Sequence, residues 1–222
     1  MQSVNGNLTF FSNSRADQTN LYPEKLKSIA SLENTDEAID EISQWPGYEV
    51  TPLHNLSSLS ANLNVDKIWY KDESKRFHLK SFKALGGSFA VARQLQKKLS
   101  EVTGETPSVQ DLLDHKFDEI VSKTVITCAT DGNHGRSVSW GCEMFGCPCV
   151  IYIHRDVSKG RQQAMEAFGA DVIRITGNYD DSVKLADSEA KQHNRIIVSD
   201  TSYDGYMDIP KDVALGYTVL LA

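Results

Sequence analysis

The stretch "TVITCATDGNHGRSVSWGCEMFGCPCVIYIH", residues 124–154, carries the clearest architectural signal in the chain. "TVITCAT" is a short apolar run, residues 134–145 have helical periodicity, and "PCVIYIH" is a second apolar run. Apolar strands joined by an amphipathic helix predict a parallel sheet with helices on its faces. The pattern continues toward the C-terminus. A helix over 158–168 leads to the strand "DVIRIT", and a helix over 179–193 leads to the strand "RIIVSD".

Upstream, residues 81–99 read as a helix with Phe82, Leu85, Phe89 and Ala92 on one face. "KIWYKDE", residues 67–73, reads as a strand, and "TDEAIDEISQWPGY" as a helix capped at Thr35 and stopped by Pro46 and Gly47. "TGETPSVQDLLDHKFDEI" is a polar connection containing a short helix. No internal repeat is present, and the fold class is α/β.

Composition narrows the function classes. The 222 residues are 40% hydrophobic and 24% charged, as in ordinary globular chains. A net charge of -7 argues against nonspecific nucleic-acid or anionic-membrane binding, which need a basic face. No apolar run approaches the ~20 residues of a membrane span. The opening "MQSVNGNLTFFSNSRADQTN" is polar and lacks the hydrophobic centre of a signal peptide, so a cytoplasmic location is expected. Cys128, Cys142, Cys147 and Cys149 do not have metal-finger spacing and read as buried free thiols, with no metal.

In parallel α/β sheets ligands bind beyond the carboxyl ends of the strands. Two loops there are chemically loaded. "ATDGNHG", residues 129–135, combines glycines with Asp131, Asn133 and His134 at a helix start, where an anion is favoured; an Asx-type turn capping the helix is the alternative reading. "SDTSYDGYMDIP" places Asp200 at a strand end, with Asp204 and Asp208 on a solvated acidic face.

Upstream of both, "HLKSFKALGGSFAV" sets Lys83 at the start of a helix whose first turns hold Gly86 and Gly87. Each glycine costs about 1 kcal/mol relative to alanine, so some close backbone approach is expected. The partial positive charge of a helix start disfavours a protonated amine and favours the neutral form that Schiff-base chemistry uses. Lys80 is the competitor, without the flanking aromatic and glycines.

"SFKALGG" resembles the lysine motif of fold-type II pyridoxal-phosphate enzymes, and "ATDGNHG" resembles their S-x-G-N-H loop with Asp131 in place of serine. "GYEVTPL", "GNYDDSV" and "SDTSYDGYMDIPKDVALGYTV" are similar to one branch, the diaminopropionate ammonia-lyases. The resemblance implies pyridoxal 5'-phosphate as cofactor and Lys83 as its Schiff-base lysine. Phe82 would pack on the cofactor ring, and Asn133 would bond its phenolic oxygen. Thr130, Asp131 and Gly132 would receive the substrate, and Lys83, Asp131 and Asp200 would share the proton transfers. The activity implied is elimination from 2,3-diaminopropionate to pyruvate and ammonia in a homodimer. A serine or threonine dehydratase is the neighbouring alternative, and a noncatalytic binding or dimerising module the distant one.

Family members continue past residue 222, where their phosphate-gripping glycine loop lies. The expectation is therefore a large-domain segment over 1–93, a small α/β domain over 94–200, and a return segment over 201–222 to an incomplete second domain. Alone, such a chain would hold the cofactor weakly and be essentially inactive.

Overall fold

The computed structural model describes residues 13–15, 22–27 and 29–221. Most of the polar opening stretch lies outside the described residues. In chain order the elements are α1 (Glu24–Lys27), α2 (Leu32–Ile42), β1 (Leu53–Asn55), α3 (Ser57–Leu63) and β2 (Trp69–Lys71), followed by a 3-10 turn over Glu73–His78. Next come α4 (Lys83–Thr103), α5 (Val109–Leu113), α6 (Asp118–Val121), β3 (Ile126–Ala129), α7 (Asn133–Phe145), β4 (Cys149–Ile153) and α8 (Lys159–Glu166). The chain closes with β5 (Asp171–Arg174), α9 (Tyr179–His193), β6 (Ile196–Ile197) and α10 (Asp208–Thr218).

The main sheet has the order β5-β4-β3-β6, with every pairing parallel. Side chains alternate between its faces, as strand geometry requires. Ile126, Cys128, Ile151 and Ile153 join the larger core, whereas Ala129 and Tyr152 pack with Ala186 of α9. All four cysteines are buried free thiols. Several boundaries differ from the sequence reading, among them that of α4, which runs to Thr103. Helix α2 starts earlier, because Ser31 caps it by accepting from the Asn34 N–H. The strand predicted from "RIIVSD" shrinks to Ile196–Ile197, since the chain leaves the sheet to carry Asp200. "KIWYKDE" forms β2, whose antiparallel partner β1 was not anticipated.

Helix α4 lies between α7 and α10, and glycines set the spacing. A Cβ on Gly87 would sit 2.6 Å from Ser137 Oγ, and one on Gly86 only 2.6 Å from the Val213 carbonyl oxygen. From the facing side, a Cβ on Gly216 would lie 2.5 Å from the Leu85 carbonyl oxygen. The close approach expected at the glycine pair is thus an approach of helices, not of a ligand. Ser88 completes the α7 contact: its N–H donates to Ser137 Oγ at 3.0 Å and its hydroxyl to the Ser137 carbonyl at 2.8 Å.

Gly216→Ala separates packing from propensity. Alanine favours a helix by about 1 kcal/mol, but overpacking against α4 backbone costs about 1–3 kcal/mol. A net loss of stability is expected in urea unfolding. A gain would show that the helices have room to part.

Candidate active site

Lys83 is delivered to α4 by a strained turn. Phe77, His78 and Lys80 have φ values of 46°, 59° and 57°, in the left-handed region that bulky side chains avoid. Strain of about 1–3 kcal/mol at each such residue persists only where surrounding contacts impose it. Buried Arg76 supplies them: Nε and Nη2 donate to the two Glu73 carboxylate oxygens at 2.8 and 3.0 Å, and Nη1 donates to the Glu49 carbonyl at 2.9 Å. From the other side Arg136 on α7 donates to the Leu79 carbonyl at 3.0 Å. The lysine therefore leaves a braced loop.

Its amine reaches a cavity of about 240 Å³ beyond the carboxyl ends of β3 and β6. Lys83, Thr130, Asp131, Gly132, Asn133 and Asp200 all line it, together with His134 and Tyr179. Larger concavities open elsewhere, but this one gathers the reactive groups. Lys83 Nζ donates to Asp200 Oδ2 at 2.6 Å across 117 residues of sequence. It also lies 5.6 and 5.4 Å from the ring centres of Phe82 and Tyr217. Phe82 packs edge-on against Tyr217, is 40% exposed as a residue, and does not line the cavity.

The electrostatics follow from burial. His134 is fully enclosed, and the loss of solvent lowers its pKa below 6.5 despite the Asp200 charge. Its Nε2 donates to the Val198 carbonyl at 2.8 Å, which leaves Nδ1 as a lone pair without a partner, 3.7 Å from Asp200 Oδ2. Burial pushes the Asp200 carboxyl up, but the charge of His134, present once acid protonates the ring, and the hydrogen bond and charge of the Lys83 ammonium outweigh it and hold it below the usual carboxylate range. Burial likewise raises the phenols of Tyr179 and Tyr217, and the Tyr217 hydroxyl is buried without a partner.

The loop of residues 129–135 is organised from within. Thr130 Oγ1 accepts from the N–H groups of Gly132 and Gly135 at 3.0 and 3.1 Å. Those two amides are spent on holding the loop. Asp131 is the exposed member, with 64% of its side chain open to solvent. Tyr179 was missed by the sequence reading because nothing in "GNYDDSV" distinguishes it from the first residue of an ordinary capped helix. Asn178 and Asp181 do form that cap.

A family model described as pyridoxal-phosphate dependent enzyme matches residues 44–218. The chain belongs to this family. It is 40% identical over 175 residues to the diaminopropionate ammonia-lyase of Salmonella typhimurium, a match covering 79% of this chain and 43% of that protein. The Escherichia coli enzyme of the same name is also 40% identical, over 174 residues. The crystal structure of the E. coli enzyme in complex with D-serine superposes with a TM-score of 0.78 at 38% identity, covering 86% of this chain and 48% of that one. The chain thus spans less than half the length of the relatives it matches. Pyridoxal phosphate is the cofactor of this family. The residues present fit its amine-binding and ring side: a lysine amine opens into the cavity beside aromatic rings, with an amide side chain and an unpartnered buried phenol nearby.

The neutral, buried His134 has a consequence for pH. The unfolded chain binds a proton at His134 more readily than the folded one, so the stability tied to its burial is complete above about pH 6.5. It declines as pH falls through that value toward the lower folded-state pKa. Asp200, held below 3.8, adds a second decline at still lower pH. Glu41, raised by burial to about 7, acts in the opposite sense over the same upper range. The test is therefore a difference: urea unfolding of wild type against His134→Gln from about pH 8 to about 5. Wild type is expected to lose stability relative to the variant on acidification. A flat difference would mean that the imidazole is solvated.

Proposed function

We propose that this protein eliminates ammonia from 2,3-diaminopropionate, which with one water yields pyruvate and two ammonia. The observation that carries the reading is the pairing of Lys83 with Asp200 in one cavity with the Asp131 loop. Lys83 is the residue that would hold pyridoxal phosphate, with Phe82 or its neighbour Tyr217 against the ring and Asn133 at the phenolic oxygen. When bound, the cofactor supplies an electron sink for the α-carbon.

The chain's own groups supply the protons. Asp200, 2.6 Å from Nζ, keeps the Lys83 amine oriented and exchanges a proton with it. Released from that proton, Nζ takes one from the substrate α-carbon on its own side. Asp131, across the loop, is the base for the opposite configuration and the counter-ion for the β-amine. The loop around Thr130 and Gly132, at the start of α7, receives the substrate carboxylate, and Asp131 faces the β-amine. A carboxylate complements a second ammonium, where a serine hydroxyl would suit a hydroxyl-bearing substrate. The division into segments 1–93, 94–200 and 201–222, a homodimeric assembly and a cytoplasmic location belong to the same reading. Among the described residues no helix is long and apolar enough to cross a membrane.

Supplied with excess pyridoxal phosphate, the protein is expected to release pyruvate faster from diaminopropionate than from serine, however slow the absolute rate. The margin should be about tenfold or more, the worth of one charge-assisted hydrogen bond. Asp131→Ser should narrow it, and Lys83→Ala should abolish turnover above free cofactor. Equal rates from the two amino acids would contradict the reading.

A further inference from the structure

Asp131 is the most exposed acidic group at the cavity, and an exposed carboxylate is ordinarily free to rotate. Here it is held. His154, the first residue after β4, places Nε2 3.0 Å from Asp131 Oδ1. The ring is only 17% exposed, so the holder is fixed where the held group is not. Its tautomer is set from behind: the Asp156 N–H donates to His154 Nδ1 at 3.2 Å. A nitrogen that accepts carries no proton in the neutral ring, which leaves the proton on Nε2, facing Asp131.

The turn bearing His154 is itself tied down. Arg174 on β5 donates through Nη1 to the carbonyls of His154, Arg155 and Val157 at 3.2, 2.9 and 2.7 Å, and through Nη2 to Gln162 Oε1 at 2.8 Å. The backbone of the held residue is fastened as well, since Arg161 donates to the Asp131 carbonyl at 3.1 Å. Asp131 is thus anchored at both its carbonyl and one carboxylate oxygen, and the other oxygen remains for the cavity.

We propose that His154 is a positioning residue that orients the Asp131 carboxylate, and through it sets the preference for a substrate with a β-ammonium over one with a β-hydroxyl. The substrate part rests on the lyase reading above; the hydrogen bond does not. His154 itself touches neither substrate nor cofactor in this role.

Two measurements test it separately. Side-chain 1H–15N spectra of the protein without cofactor should show His154 as the Nε2–H tautomer, with a slowly exchanging Nε2 proton that Asp131→Ala removes. An Nδ1–H tautomer, or a signal indifferent to Asp131→Ala, overturns the contact whether or not the protein is a lyase. The rate comparison between diaminopropionate and serine is then repeated on two variants. His154→Leu should reduce the preference about fivefold, the worth of one hydrogen bond. His154→Gln, whose side-chain nitrogen replaces Nε2 as donor, should restore most of it. Equal losses in both variants would make the ring a packing element and overturn the positioning role.

Discussion

The contact of α4 with α7 and α10 is the constraint on which the site depends. Gly86, Gly87 and Gly216 bring three helix backbones to separations that a methyl group would prevent. Helix α7 begins at the Asn133 loop, α4 begins at Lys83, and α10 follows the segment that carries Asp200. Fixing the three helices therefore fixes three sources of side chains around one cavity. The glycines lower intrinsic helix stability. Packing compensates for that loss, and positional definition of the lysine results.

Within that frame an ion pair between Lys83 and Asp200 replaces the neutral amine that the helix start alone favours. Lys83 and Asp200 satisfy each other, and burial keeps His134 neutral beside them. A buried ion pair alone is weak evidence for stability, since desolvation offsets much of the attraction. Here the pair is partly open to the cavity, with 29% and 20% of the two side chains exposed. That exposure leaves the pair accessible from the cavity.

Much of the fold was legible because its signals are local. Apolar runs marked β3, β4 and β5, and the boundaries of α9 follow from its capping residue Asn178 and the left-handed Asn194 at its end. The convergence of Lys83, Asp131, Asn133 and Asp200 on one cavity was legible because they lie at strand ends or a helix start, where ligands bind in this architecture. What escaped is nonlocal or has no compositional sign. The left-handed run at Phe77, His78 and Lys80 is imposed by Arg76 and cannot be read from the residue types. The glycine pair was legible as a close approach, but not what approached. His154 carries no motif, and its meaning comes only from Asp131 being folded against it.

The proposed function requires that Lys83, and not its exposed neighbour Lys80, present the reactive amine. Incubation with pyridoxal phosphate, borohydride reduction and peptide mapping test it most directly. The pyridoxyl group is expected on Lys83, with labelling suppressed by competing 2,3-diaminopropionate. A label on Lys80, or one spread evenly over the surface lysines, would contradict it.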